Sequence, residues 1–324
     1  MRLDLPIALG AGLISAIVFA SATTGPTLAR LVLLALVTLP IALAGYAYGA
    51  RAATVAALSG ALFLTVLASP GFAAAFAISL AFPAALLVYL ALLHRDGPDG
   101  ATQWYPAGRV VLVAALLGAT FVALGLLIAG DEDKLRATIR ASIDTMIASG
   151  FGGLPGAAAP SEADLAQAAN IMLQLLPSVS AAFWMGCVLF CQWLAARVAL
   201  MSGQLVRPWP DLAALGYPAG TSLLFGISIA AALMLDGVPR LMVLGFAGAL
   251  YAAYVLLGLA ILHFNTRGFS WRGGALAALY IALFVLNSGA SLLIALIGLA
   301  DSFYPLRKLA AGPVPTDPSS QSKP

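Results

Sequence analysis

The sequence predicts an all-α fold: a polytopic bundle of transmembrane helices with about eight or nine spans. Hydrophobic residues make up 62% of the chain and charged residues 9%, whereas soluble domains are about half apolar and a quarter charged. The charged residues are confined to short breaks between long apolar runs. These runs are apolar on every side and do not alternate with a period of two, so they predict helices and not barrel strands.

A membrane-spanning helix needs about 20 mostly apolar residues. Nine runs approach this length, at residues 5–22, 31–50, 52–69, 72–93, 110–130, 171–200, 221–235, 241–263 and 273–299. Pro83 predicts a kink in the fourth run, and Pro177 predicts an interruption in the sixth. The ninth run has a polar, flexible centre at Asn287-Ser288-Gly289.

The first run has a second interpretation. Arg2, the apolar stretch and the small residues at 20–22 resemble a signal peptide with its cleavage site. Asp4 and Pro6 weaken the basic leader, and eight further apolar runs anchor the chain without cleavage. We therefore expect an uncleaved first span.

The positive-inside rule predicts a cytoplasmic N-terminus, because the breaks on that side then hold most of the arginines. The long segment 131–170 has an acidic balance, which suits the outer face. Nine spans, however, place Arg307 and Lys308 outside. Either the ninth run re-enters at residues 287–289 or one earlier run does not span, and the sequence leaves both alternatives open.

The segment 131–170 between spans five and six predicts an extracytoplasmic amphipathic helical hairpin. Leu135, Ile139 and Ile143 recur at helical spacing, and Ser161 followed by Asp164 is typical of a capped helix start. This second helix is expected to continue into span six. The hairpin is either a lid over one mouth of the bundle or a surface-adhering loop. We expect one integral membrane domain over residues 1–309, with this insertion, and a disordered tail over 310–324.

The sequence offers little catalytic chemistry. It contains no phosphate-binding loop, no nucleophile elbow and no dinucleotide-binding fingerprint. Two cysteines, Cys187 and Cys191, share one apolar helix face and are interpreted as packing residues. We therefore expect no enzyme activity, no cofactor, no metal and no nucleic acid. A lipid-modifying enzyme, the third alternative, would have to use Asp96, Asp99, Asp301 and His263.

Polar side chains inside the spans are few, and each buried amide in lipid needs a partner. Such a residue either bonds a neighbouring helix or lines a ligand cavity. The candidate ligand-binding residues are Asn287, Ser288, Gln192, Gln174 and Trp184.

The ends of the spans carry motifs that combine aromatic rings with arginine. A ring suits the headgroup layer, and arginine suits phosphate. These motifs either anchor the helices or form a docking surface for a cytoplasmic partner. Their candidate residues are Trp104, Tyr105, Arg109, Arg207, Trp209, His263, Arg267 and Asp301.

Three stretches carry a resemblance to a known family, at residues 44–51 (AGYAYGAR), 256–264 (LLGLAILHF) and 298–301 (GLAD). With them the chain resembles the YybS-like family of bacterial polytopic membrane proteins from Leu5 to Lys308. There is a fainter likeness to the substrate-binding membrane subunits of energy-coupling-factor transporters. The resemblance implies a bacterial inner-membrane location.

Two functions follow as expectations. The first is binding or transport of a small uncharged solute by the helical bundle. The alternative is a non-catalytic scaffold or regulatory subunit for a membrane or cytoplasmic protein partner. Membrane lipids are expected partners in both cases.

Overall fold

The chain is almost entirely helical, as the sequence predicts. A computed structural model describes residues 4–23, 26–98, 100–148, 160–286, 288–304 and 306–307. The disordered tail expected at 310–324 lies outside these residues, as does Asn287.

The helices follow one another along the chain with short connections. Their bounds are α1 Leu5–Ser21, α2 Thr27–Leu36, α3 Leu39–Tyr48, α4 Ala50–Leu67, α5 Pro70–Phe76, a π-helical segment Ala77–Ala81, α6 Phe82–Leu92, α7 Ala107–Ala129, α8 Glu132–Ala148, α9 Glu162–Met201, a 3₁₀ turn Leu212–Ala214, α10 Thr221–Met234, α11 Gly237–Asn265, α12 Arg272–Leu286 and α13 Ser288–Asp301. Two short strands, β1 His94–Asp96 and β2 Thr102–Trp104, form an antiparallel hairpin between α6 and α7.

All nine predicted runs contain helix. Within the described residues, six stretches are long and apolar enough to cross a membrane: Thr27–Tyr48, Ala50–Leu67, Pro70–Leu92, Ala107–Ala129, Glu162–Met201 and Gly237–Asn265. The first and seventh runs form shorter apolar helices of 17 and 14 residues. The ninth run contains α12 and α13, each shorter than a full span. Residue 287, where the sequence predicts a polar interruption, lies outside the described residues.

The chain forms two compact units. The first comprises Met1–Pro210 and Leu223–Tyr251, and the second comprises Asp211–Ser222 and Ala252–Pro324. Both units are built from apolar helices. A single integral domain over 1–309 stays a prediction.

Small residues let the helices of the first unit approach closely. A Cβ atom at Gly12 of α1 would lie 2.1 Å from the carbonyl oxygen of Ala56 in α4. A Cβ atom at Gly45 would lie 2.4 Å from a methyl group of Val88. Gly49, four residues later, has φ 99° and forms the turn from α3 to α4. A glycine is needed there for the backbone conformation of the turn, whereas Gly45 is needed for close packing between helices.

Two prolines have different effects from each other. At Pro83 the fourth run changes from a π-helical segment to α6, and the kink expected there stays a prediction. The predicted interruption at Pro177 is wrong, because α9 continues as one 40-residue helix through it. Neighbouring packing supports the helix there, since a Cβ at Gly245 of α11 would lie only 3.8 Å from the Pro177 carbonyl oxygen.

The hairpin of α8 and α9 lies against the bundle. Ile139 of α8 is buried in an apolar cluster with Leu126 of α7, Leu173 of α9 and Leu241 of α11. The start of α9 is a capping box, in which the Ser161 hydroxyl accepts a hydrogen bond from the Asp164 N–H, as the sequence predicts. The connection over residues 149–159 lies outside the described residues.

Candidate functional site

A polar face on α9 lies against three other segments of the first unit. Trp184, Cys191 and Gln192 are spaced so that they share one side of the helix, because seven and eight residues are close to two turns. Their side chains reach carbonyl oxygens of α2, of the π-helical segment and of α6. We call these three residues the α9 polar face.

Trp184 bonds a carbonyl that α6 cannot use. Its indole Nε1 donates to the Ser79 carbonyl oxygen at 2.9 Å. Pro83 lies four residues after Ser79 and has no N–H, so the α-helical bond to that oxygen is missing. The bond from Trp184 therefore gives this carbonyl a donor in place of the missing α-helical one.

The Gln192 side-chain amide has a hydrogen-bond partner at its nitrogen but not at its oxygen. The side chain is 4% exposed, and its Nε2 donates to the Ala84 carbonyl oxygen at 3.0 Å. Within the described residues, its buried Oε1 has no hydrogen-bond partner. An unsatisfied buried acceptor costs about 1–3 kcal/mol. The amide is therefore held in place by one bond, while its buried oxygen lacks a donor among the described residues.

The same face meets an interrupted helix. The second span turns at Val37 and Thr38, between α2 and α3. Cys191 Sγ donates to the Ala35 carbonyl oxygen at 3.0 Å, and the Ser15 hydroxyl donates to the Val37 carbonyl oxygen. Two spans, α2–α3 and α5–α6, thus present backbone carbonyls to α9.

The remaining predicted ligand-binding residues do not join this face. Gln174 lies eighteen residues before Gln192 on α9, about 27 Å along the helix axis, so the two cannot contact one small solute. Asn287 lies outside the described residues, and Ser288 is the first residue of α13 in the second unit.

A second feature of the first unit is an apolar pocket beneath α8. It has a volume of about 250 Å³ and lies between α7, α8 and α9. Its walls include Val122, Ile139 and Leu173, with Thr138 and Ser180 as polar members. Because the walls are almost entirely hydrocarbon, the pocket suits an apolar group.

At the other end of α7 and α9, Arg207 is buried among backbone and rings. It is 9% exposed, and its Nη1 donates to the Ala91 carbonyl oxygen at 2.6 Å. Its guanidinium carbon lies 5.6 Å from the centre of the Trp104 ring. The preceding residue, Val206, donates its N–H to the Tyr46 carbonyl oxygen at 3.1 Å. Burial lowers the pKa of Arg207.

Further arginines stack on rings around Arg207. Arg109 lies 5.7 Å from the centre of the Tyr105 ring, and Arg197 lies 5.3 Å from that of Trp209. We call the surface formed by Trp104, Tyr105, Arg109, Arg197, Arg207 and Trp209 the arginine–aromatic layer. The structure thus brings together five of the predicted boundary residues, Trp104, Tyr105, Arg109, Arg207 and Trp209.

The three other predicted boundary residues lie in the second unit. Arg267 forms a two-point ion pair with Asp211, and the guanidinium beside it lowers the pKa of that carboxyl. Asp301 pairs with Arg307 at 2.7 Å. His263 lies 3.3 Å from the Tyr280 hydroxyl through its Nε2.

The carboxylates of the second unit serve structural contacts. Arg307 also donates to the Leu215 carbonyl oxygen at 2.6 Å, and Asp301 accepts the N–H of Leu306 at 3.1 Å. These contacts connect the end of α13 to the segment that follows Asp211. Across the part of the chain that the structure describes, no group of three or more His, Cys, Asp or Glu is arranged to hold a metal ion.

Fold and site together define an all-α integral membrane protein that passes the membrane several times. The chain matches the family model described as "Predicted membrane protein (DUF2232)" over residues 13–302 and belongs to that family. No curated protein and no solved structure matches the chain significantly.

Sequence reasoning missed the partners of the polar face and the β-hairpin that carries Trp104. Pro83 was a usable signal for the free Ser79 carbonyl, since a proline removes the bond to the residue four positions earlier. The hairpin strands have three residues each, which is too short for a strand pattern to be visible.

Proposed function

We propose that the protein binds or transports a small uncharged solute at the α9 polar face, in the bacterial inner membrane and with a cytoplasmic N-terminus. In this proposal it catalyses no covalent reaction and needs no cofactor. The narrower resemblance to the YybS-like family and to energy-coupling-factor subunits stays a prediction.

One observation carries the proposal: the buried Gln192 Oε1, which has no donor among the described residues. Its position is fixed by the bond from Nε2 to Ala84. A solute that donates an O–H or N–H to this oxygen would remove the cost of leaving it unsatisfied. Amides placed in this way discriminate strongly between a solute with the donor and an analogue without it.

The surroundings of Gln192 define the solute class. Cys191, with its soft sulfur, is the adjacent residue, and the Trp184 ring lies about two turns earlier on the same helix. The described ion pairs lie elsewhere, on the α8–α9 hairpin and in the second unit. A charged solute would lack a counter-ion here, so a neutral solute with one hydrogen-bond donor fits best.

The test is a thermal-shift screen of the purified protein with neutral vitamins, nucleosides and neutral lipids. A true ligand raises the melting temperature of the wild type. In Gln192→Leu, about tenfold more ligand is needed for the same shift in melting temperature. This factor corresponds to the loss of one hydrogen bond of ~1.4 kcal/mol. Gln174→Leu removes another buried amide oxygen without a partner, about 27 Å away on the same helix, so it is the matched control and retains the shift.

Two results would overturn this proposal. One is the absence of any shift across the screen, and the other is an equal shift in Gln192→Leu and the wild type. The scaffold alternative is supported by the exposed arginines of the arginine–aromatic layer. Crosslinking in mild detergent that repeatedly recovers one partner protein, with no ligand shift, would favour that alternative.

A further inference from the structure

Arg207 is a buried cation without a counter-ion among the described residues. It is 9% exposed, and the described ion pairs do not include it. Its Nε is buried and has no hydrogen-bond partner in the described part of the chain. Its guanidinium donates to one carbonyl, lies over one ring and interacts with the uncharged Tyr46 hydroxyl, and none of these neutralises its charge. A buried charge in this position calls for an anion.

The surface around Arg207 is also positive. Arg109 and Arg197 are exposed, and each is held over a ring of the arginine–aromatic layer. Arg95 of β1 is exposed too and donates to the Gln103 side chain across the hairpin at 3.1 Å. The acidic residue on β1 is Asp96, so the positive charges exceed the negative ones here. The anion that this surface attracts must come from outside the described chain.

The depth of the layer indicates the source of that anion. The layer lies where α6 ends at Leu92, where α7 begins at Ala107 and where α9 ends at Met201. All three helices belong to apolar stretches of spanning length, so their ends reach the headgroup region. Trp and Tyr rings prefer that depth. A lipid phosphate lies at this level permanently, whereas a soluble anion has to arrive from water.

An apolar surface continues from the layer along α6. Leu93 is 39% exposed, Tyr89 50% and Leu86 40%. Leu86 and Tyr89 are three residues apart and share one face of α6, and Leu93 follows directly after the end of the helix. An acyl chain can lie along this surface while its phosphate meets the arginines. The headgroup of one lipid is therefore complementary to the arginines, and its acyl chain is complementary to the apolar surface beside them.

From this arrangement we propose that the arginine–aromatic layer is a binding site for an anionic phospholipid of the adjacent leaflet. The phosphodiester is held by the guanidinium groups of Arg207 and its exposed neighbours Arg109 and Arg197. Arginine suits this role because its planar fork matches phosphate oxygens with two parallel bonds. Basic sites between spanning helices commonly select anionic headgroups. The proposal does not depend on solute binding at Gln192.

The test compares the full chain in nanodiscs of phosphatidylcholine alone and with a minor fraction of phosphatidylglycerol. We expect phosphatidylglycerol to raise the melting temperature of the wild type. In Arg207→Met, which keeps the packing on Trp104 and loses the charge, the preference for phosphatidylglycerol falls about tenfold. Arg30→Gln is the matched control: Arg30 is an exposed arginine at the start of α2, and its variant keeps the preference.

A second variant keeps the test decisive if Arg207→Met does not fold. The double variant Arg109→Gln and Arg197→Gln changes only exposed side chains and is expected to lose preference to a similar degree. An unchanged preference in the variants would overturn the proposal. Equal stabilisation by inorganic phosphate in pure phosphatidylcholine would also overturn it, because it would indicate a soluble anion. A partner protein that crosslinks to the cysteine of Arg109→Cys in membranes would overturn it too, because it would indicate a docking partner.

Discussion

The two ends of α7 and α9 use arginine in opposite ways. At the end that carries α8, Arg136 and Arg140 each meet carboxylates of the same hairpin. At the other end, Arg109, Arg197 and Arg207 each meet an aromatic ring. One end neutralises its own charge. The other leaves positive charge that its rings can orient but cannot cancel.

This difference indicates which end interacts with the surroundings electrostatically. The hydrogen bonds that Arg140 donates to Asp144 and Glu162 raise its pKa, so its charge is fixed but locally balanced. Arg207 instead has a pKa lowered by burial. The hairpin end balances its arginines with its own carboxylates, whereas the arginine–aromatic layer carries positive charge that we propose is balanced by an anion.

The largest expected effect tests the hairpin end. Ile139→Ala removes the most buried side chain that α8 contributes to its apolar cluster, and we expect a loss of about 2–4 kcal/mol in the docking of α8. Hydrogen exchange of the α8 amides measures this loss. Ile147→Ala is the control, because Ile147 is 36% exposed on the same helix. Equal effects of the two substitutions would show that α8 is not positioned by this cluster.

A smaller effect is expected at the other end. Trp104→Leu removes the ring beneath Arg207 and leaves the guanidinium with its bond to Ala91, which costs about 1–2 kcal/mol. Thermal unfolding in phosphatidylcholine nanodiscs measures the loss. Trp193→Leu serves as the control because its ring is 44% exposed and touches Phe190 instead of an arginine. No difference between the two variants would mean that the ring does not stabilise Arg207.

The smallest effect is expected for Arg140→Gln, which breaks two exposed ion pairs of the hairpin. Such pairs contribute little in water and are screened by salt. We expect a slight destabilisation of α8 that disappears at high ionic strength, measured by the same hydrogen exchange. A loss as large as that of Ile139→Ala would contradict the view that packing dominates at this end.

The helical architecture was predictable because the bilayer allows few alternatives. Backbone groups in hydrocarbon must bond within their own segment, so each apolar run had to be helical. Local departures were harder to predict. Pro83 and Pro177 look alike in sequence, yet one accompanies a π-helical segment and the other lies within a continuous helix. The packing of neighbouring helices decides between these outcomes, and it is not visible in one run.

The candidate site was predictable in part. The spacing of Trp184 and Gln192 along one helix is enough to place them on one face. Their partners are backbone carbonyls of other helices, and every residue has a carbonyl, so the sequence cannot single out Ala84, whereas Pro83 indicates Ser79. The contact of Arg207 with Trp104 joins residues 103 positions apart. Composition indicated both as interfacial residues without indicating that they meet.

The position of the two thiols has a practical consequence. Cys191 is buried and Cys187 is half-buried, and both lie deep within α9. Water-borne maleimides require a thiol that water can reach, so neither native cysteine is expected to react. The wild-type chain therefore gives no labelling background. A cysteine introduced in any polar connection between helices would then show by its labelling which side of the membrane that connection faces.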